Sequence, residues 1–206
     1  MHALSRRKLL GLAAMTPLAA TLRPIVPAAA SVASADARER IRRRYFPDIT
    51  LLTQDKRKVR LYEDLVKDKI VTINFFYAHC EGICPAVMAN LAKVRELLAH
   101  RPPVSMISIT LKPEQDSPAV LKEYAEMHRI KPGWALLTGN PDDIERLRKS
   151  LGFTNPDPQL DRDKSQHIGN IRYGNEPLME WAACPGMSKP EWIAENISWV
   201  FPTGKS

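Results

Sequence analysis

Lys69-Ile-Val-Thr-Ile-Asn-Phe-Phe-Tyr77 runs directly into Ala78-His-Cys-Glu-Gly-Ile-Cys-Pro85. The first part is β-branched and aromatic with hardly a polar break, the pattern of a central strand covered on both faces. Beyond Pro85 the period changes. Val87, Met88, Leu91, Val94, Leu97 and Leu98 recur at helical spacing and form an apolar stripe. Proline suits the first turn of that helix, where its missing N–H would have had no partner. Cys80 and Cys84 therefore sit where a buried strand gives way to a helix.

The alternation continues outward from this junction. Val104 to Leu111 reads as a second buried strand, and Ser117-Pro118 caps and opens a helix reaching about His128. Trp134 to Leu137 is a short strand. Asn140-Pro-Asp-Asp143 combines a capping residue, a proline and two acids at a helix start, and Gly152 supplies the stop. A polar stretch rich in Asp and Pro fills 154–164. His167 to Tyr173 and Leu178 to Ala183 then read as strands joined at Gly174-Asn175, and Ser188-Lys-Pro-Glu191 is a capping box for a last helix carrying Trp192, Ile193 and Ile197. On the N-terminal side, Ile49 to Leu61 reads as a hairpin turning at Gln54-Asp-Lys56, and Tyr62 to Val66 as a helical turn. The order is a hairpin, then βαβαβα, then ββα. That is an α/β chain: a thioredoxin-like sandwich with a central mixed sheet flanked by helices, an N-terminal β-hairpin and an inserted strand–helix unit.

The first 35 residues read as an address rather than as part of the domain. Arg6-Arg7-Lys8 precedes a moderately apolar stretch from Leu9 to Leu22, and Ala33-Ser34-Ala35 offers a small-residue cleavage site. Paired arginines before a weakly hydrophobic run have the form of a twin-arginine export signal. The competing reading is a retained anchor, but a bilayer span takes roughly 20 apolar residues, and Arg23 ends this run early. Residues 36–47 form a basic linker ending at Pro47, and 48–206 the folded domain. Its expected place is the periplasm, an oxidising compartment. The formal charge is +7, and four of the cations (Arg6, Arg7, Lys8 and Arg23) lie in the acid-free first 35 residues. The domain itself is only mildly basic, so nucleic acid is not an expected partner. The run Arg38, Arg40 and Arg42 to Arg44 is a solvated face or a contact for an anionic membrane.

Three cysteines are too few, and odd in number, for a disulfide scaffold. Two cysteines four apart at a helix start lie close in space, and the positive end of the helix favours thiolates. The pair fits a dithiol–disulfide couple, a pair of metal-binding thiolates, or a plain structural disulfide. A third ligand would favour the metal, and His167 is the candidate. It follows the polar stretch 154–164, a loop able to reach over the strand-end crevice where α/β folds bind ligands. Two thiolates and an imidazole suit Cu(I) and hold Cu(II), whereas a structural zinc site takes four protein ligands. Taken alone, His167 also reads as a surface or capping histidine. His79 should point away from its neighbour Cys80, and His100 and His128 lie near helix ends as structural residues. Cys184 reads as a buried thiol, a resolving cysteine or an extra ligand.

The segment Phe75-Phe-Tyr-Ala-His-Cys-Glu-Gly-Ile-Cys-Pro85 followed by Ala89-Asn90-Leu91 resembles the copper motif of the Sco/SenC family. Ser108-Ile-Thr-Leu-Lys-Pro-Glu-Gln-Asp-Ser-Pro118, Leu121-Lys-Glu-Tyr124, Leu137-Thr-Gly139 and Asp142 to Leu151 resemble it in the same order. The resemblance implies that Cys80, Cys84 and His167 hold copper, as Cu(I) or Cu(II). It further implies that the protein delivers copper to, or prepares the copper site of, a respiratory copper enzyme such as cytochrome c oxidase, taking the ion from a copper donor. The alternative is a thiol–disulfide oxidoreductase with Cys80 and Cys84 as its redox pair. Two positions depart from the family pattern. Lys112 stands where the family usually has Asp, and His167 lies between Gln166 and Ile168 rather than between Asp and Ser.

Overall fold

The computed structural model describes residues 28–164 and 169–202, with side-chain surroundings from Asp36 onward. The first 27 residues of the expected export signal, and His167, lie outside the described residues. Seven strands form one mixed sheet in the order β2-β1-β5-β4-β3-β6-β7. They are β1 (Thr50–Thr53), β2 (Lys58–Arg60), β3 (Ile70–Phe76), β4 (Val104–Thr110), β5 (Trp134–Thr138), β6 (Asn170–Asn175) and β7 (Glu180–Pro185). The helices are α1 (Ala28–Tyr45), α2 (Cys84–Leu97), α3 (Pro118–Met127), α4 (Pro141–Ser150), α5 (Pro158–Arg162) and α6 (Pro190–Ser198), with a π-helical turn at Leu61–Val66. This is the expected α/β sandwich, hairpin included.

β3 is the middle of the molecule. It runs parallel to β4 from Ile70↔Val104 to Phe76↔Thr110, and antiparallel to β6 from Ile70↔Asn175 to Ile73↔Arg172. Every residue of β3 is buried, which is why its sequence lacks apolar–polar alternation. Asn74 reaches Met88 of α2 and Phe76 meets Tyr124 of α3, so both helices cover one face. Phe75 points the other way, 4.9 Å from Phe153 beyond α4. Each such buried aromatic or aliphatic side chain contributes roughly 1.5–3 kcal/mol.

Local capping signals set two helix starts as expected. The Ser117 hydroxyl accepts from the Val120 N–H, and the Asn140 carbonyl oxygen accepts from the N–H groups of Asp142 and Asp143. Ser188 departs from expectation. The N-cap of α6 is Lys189 and makes no side-chain bond. The helix starts one residue later than expected, and the Ser188 backbone carbonyl accepts from Asn90 Nδ2 of α2 at 2.9 Å. The turn between β6 and β7 also lies further along than expected, since the strand continues to Asn175. Gly174 serves a close approach rather than the turn: a Cβ there would stand 2.4 Å from the Trp181 ring.

Residues 36–47, expected as a linker, continue α1 to Tyr45 and are docked. Arg38 donates to both oxygens of buried Glu176 at 2.6 and 2.5 Å, and Phe46 packs against Tyr62 and Trp181. Burial alone would push the Glu176 carboxyl up. The donors Arg38, Tyr62 O–H and Asp68 N–H outweigh it and hold the group below the usual carboxylate range. A contact spanning 138 residues leaves no local pattern to read. The polar stretch 154–164 similarly contains α5, capped by Asp157. Among the described residues no helix is long and apolar enough to cross a membrane.

Candidate metal centre

Past Phe76 the chain leaves the sheet and loops to the start of α2. Asp116 clamps the beginning of this loop. Its Oδ2 accepts from the Ala78 N–H at 3.0 Å and from the Thr110 hydroxyl at 2.5 Å. Asp116 is buried, and a buried carboxylate is tolerated only with such donors. The Thr110 hydroxyl in turn accepts from the Lys112 N–H, and the Leu111 N–H donates to the Phe76 carbonyl at 2.7 Å. The tips of β3 and β4 are thereby tied together under the cysteines.

α2 opens with Cys84 itself, and Pro85 fills its first turn. The preceding residue, Ile83, supplies no side-chain cap, which leaves the positive end of the helix to the sulfurs. Both thiols are buried, with Cys80 8% and Cys84 2% exposed. Their protonation tendencies diverge. For Cys80, burial opposes ionisation. It is outweighed by hydrogen bonds from the Cys84 thiol, the Tyr77 hydroxyl and the backbone N–H groups of Cys84 and Gly82, so the thiol becomes more acidic than usual. For Cys84, burial and then its hydrogen bond with Cys80 push the thiol well up. The two thiols are thus unequal, Cys80 the more acidic and Cys84 the less.

Gly82 lies close to Cys80, with a Cβ built there 3.7 Å from the sulfur, an ordinary contact. Tyr77, whose hydroxyl serves Cys80, carries the Lys112 ammonium 4.0 Å above its ring, a cation–π contact. Lys112, which stands where the resembled family usually has Asp, therefore touches the residue that touches Cys80. Farther along α2, Met88 lies one turn beyond Cys84. Its sulfur is 3.6 Å from Asn74 Nδ2, and Asn74 accepts from Ser108, which accepts from the Trp134 indole N–H.

His167 lies outside the described residues, but both its flanks are placed. On the N-terminal side, Asp163 is close enough for its charge to oppose ionisation of Tyr77, after the larger effects of Cys80 and burial. On the other side, Gly169 lies against the start of α2. A Cβ there would fall 2.4 Å from Ile83 Cδ1, and the Gly169 carbonyl accepts from the Gly186 N–H at 2.8 Å. Asn90 of α2 holds the Gly186 carbonyl at 2.8 Å. The segment 153–164 is pinned to α4 by buried Arg148, which donates to both Asp161 oxygens at 2.7 Å, to both Glu145 oxygens and to the Phe153 carbonyl.

Among the described residues no three His, Cys, Asp or Glu side chains converge as a metal cage. What the structure brings together is the cysteine pair and the flanks of His167. His79 is exposed beside buried Cys80 and so points away from it as expected, but on a turn at Ala78-His79 rather than on an extended segment. His100 and His128 are exposed. Cys184 is buried on β7, and burial pushes its thiol up to about 11, the properties of an inert thiol. Tyr77 and Asp116 also serve the site: both fall within longer family-like stretches of the sequence that gave neither a role, and Asp116 reaches Ala78 from 38 residues away.

The SCO1/SenC family model matches residues 39–171 of this chain. A protein of Stutzerimonas stutzeri is 30% identical over 134 residues, which cover 63% of this chain and 64% of that relative's own length. Among solved structures, BsSco, a member of the Sco family of cytochrome c oxidase assembly proteins in which a disulfide switch was identified, superposes with a TM-score of 0.62 at 25% identity, covering 76% of this chain and 92% of that one. The Arabidopsis thaliana ScoI structure, with copper bound, superposes with a TM-score of 0.60 at 18% identity, covering 74% of this chain and 95% of that one, a likeness of fold.

Proposed function

The chain belongs to the SCO1/SenC family, and from that premise we propose that it is an exported copper carrier. It holds one copper ion with Cys80, Cys84 and His167 and passes it to the apo form of a respiratory copper enzyme such as cytochrome c oxidase. The observation that carries this reading is a pair of buried cysteines, four residues apart, at the uncapped start of α2. Soft sulfur donors with a single imidazole suit Cu(I) and still hold Cu(II). Asp163 beside Tyr77 and Gly169 against Ile83 support His167 as the third ligand. Copper is cargo here. A set of three ligands leaves room for a client's thiolate or imidazole to enter before the carrier lets go.

Within the chain, each group has a distinct task. The Tyr77 hydroxyl and the N–H groups of Gly82 and Cys84 prepare Cys80 to bind as thiolate. Cys84 must release its proton on loading, so copper uptake becomes weaker as the solution is acidified. Asp116 holds the loop in place throughout. Export through the twin-arginine-type signal of residues 1–35 would place the domain in the periplasm, where a copper donor and the client meet it. The basic residues of α1 offer a contact for an anionic membrane face.

A second reading is favoured by the unequal acidity of the two thiols. Cys80 would attack a client disulfide, forming a mixed disulfide and releasing one client thiolate. Cys84, after losing its proton, would then attack the Cys80 sulfur, leaving a Cys80–Cys84 disulfide and a fully reduced client. His167 separates the two readings. The carrier reading expects His167→Ala to lose the thiolate-to-Cu(II) charge-transfer bands while still reducing a disulfide substrate, and Cys80→Ser to lose both. Unchanged bands in His167→Ala would overturn it.

A further inference from the structure

A cleft of about 780 Å³ opens at the end of the sheet away from the cysteines. Its walls come from Lys69 just ahead of β3, Ser105 in β4 and Trp134 at the start of β5, with the β1–β2 hairpin and the C-terminal end of α3 around them. The cysteine loop leaves from the opposite end of β3, roughly 20 Å away along the strand. The floor is apolar: Ala125 and Trp134 belong to the core, and Leu65 packs against it.

The rim is cationic, and its charges are poorly matched. Lys122 meets Asp55 at 3.4 Å, and Lys131 meets Glu96 only at 3.9 Å. Lys69 donates to the Asp64 backbone carbonyl rather than to a carboxylate. The guanidinium groups of Arg57 and Arg129 meet no acid among the described residues. Of the acids on the rim, Asp55 and Asp64 are taken by Lys122 and Arg60, which leaves Glu126. Arg129 is set at the mouth by the way α3 ends. Its N–H donates to the Glu126 carbonyl at 3.1 Å and the Ile130 N–H to the Ala125 carbonyl at 2.8 Å, the paired bonds of a Schellman stop. Its φ of 52° lies in the left-handed region, where glycine is the usual residue.

We propose that this cleft binds a small organic oxyanion, its apolar body on the floor of Leu65, Ala125 and Trp134 and its carboxylate or phosphate group held by the rim cations, Arg57 and Arg129 foremost. The volume is that of a small-molecule site, and an apolar lining with a few polar groups is the usual form of one. Guanidinium forks without a partner match the paired oxygens of a carboxylate or phosphate. The site stands apart from the cysteines, so it fills with or without copper.

The test uses the full-length protein and two dyes of like body, anilinonaphthalene sulfonate and uncharged phenylnaphthylamine. The sulfonate should bind one to one and more tightly than the uncharged dye. Amide shifts in NMR spectra should gather at Leu65, Arg129 and Ala135 and spare Ala78 and Gly82. The double variant Arg57→Gln/Arg129→Gln should bind the sulfonate about tenfold more weakly, with its affinity for the uncharged dye unchanged. Glu126→Gln should bind the sulfonate about threefold more tightly, a gain that a misfolded protein would not give. Phenyl phosphate or octanoate should displace the dye, the first pointing to a ring body and the second to an alkyl chain. Displacement by neither would overturn the proposal. So would equal affinity for the two dyes, unchanged binding in the double variant, or shifts scattered over exposed Met127 and Trp199 instead of the cleft.

Discussion

The loop bearing Cys80 is held by short hydrogen bonds from the strands beside it, whereas the stretch leading to His167 is held by ion pairs to one buried arginine. In the first region a single carboxylate, Asp116, ties Ala78 to Thr110, and the strand-to-helix step is fixed by the packing of β3. In the second, Arg148 gathers Asp161, Glu145 and the Phe153 carbonyl, and Lys164 adds to Glu145 at 2.9 Å. The cysteine loop is thus part of the sheet's own structure. The other side is a latched segment whose stability depends on charge. For the proposed carrier, that division would hold two sulfurs in place and put the proposed third ligand next to a segment that solution conditions can loosen.

A pair of substitutions would break this comparison most sharply. Arg148→Met should destabilise the protein by about 3 kcal/mol, the low end of what removing one partner of a buried ion pair costs, because Asp161 and Glu145 keep some contact with water. Asp116→Asn can place its amide oxygen where Oδ2 accepts from both Ala78 and Thr110, so it exchanges two charge-assisted hydrogen bonds for neutral ones and should cost about 1–2 kcal/mol. Urea unfolding of both variants checks the order. A larger loss from Asp116→Asn would mean that the cysteine loop, not the latch, is the charge-dependent region.

A smaller effect sharpens the same contrast. Arg148 above all, and Lys164 after it, hold the Glu145 carboxyl down from the usual 4.5 to about 2 against the effect of burial, and Asp161 is lowered in the same direction. A carboxylate depressed in the folded state stabilises fully above its unfolded pKa, and that contribution is lost as pH falls through the folded value. Stability in urea should therefore decline as pH drops from about 4.5 toward 2. The decline should be shallower in Arg148→Met, whose carboxylates have lost their main partner. Equal slopes for the two proteins would place the acid sensitivity elsewhere.

The cysteine side was legible in the sequence because its causes are local. An unbroken apolar strand, a proline in a first helical turn and a helical stripe put Cys80 and Cys84 at the junction that the structure displays. The caps at Ser117 and Asn140 were readable for the same reason. The latch was not, since Arg148 reads as one more exposed helix cation until the fold brings Asp161 to it. The docking of α1 through Arg38 and Glu176 failed to show for the same cause, and Ser188 misled because the helix begins one residue beyond the position a capping box requires.

The ligand count at the metal reaches the centre of the account. X-ray absorption at the copper edge of the full chain loaded with one equivalent of Cu(I) should report two sulfurs and one imidazole nitrogen, with the imidazole scattering gone in His167→Ala. Scattering that is the same in both proteins, or a shell lacking either cysteine sulfur, would contradict the proposed site.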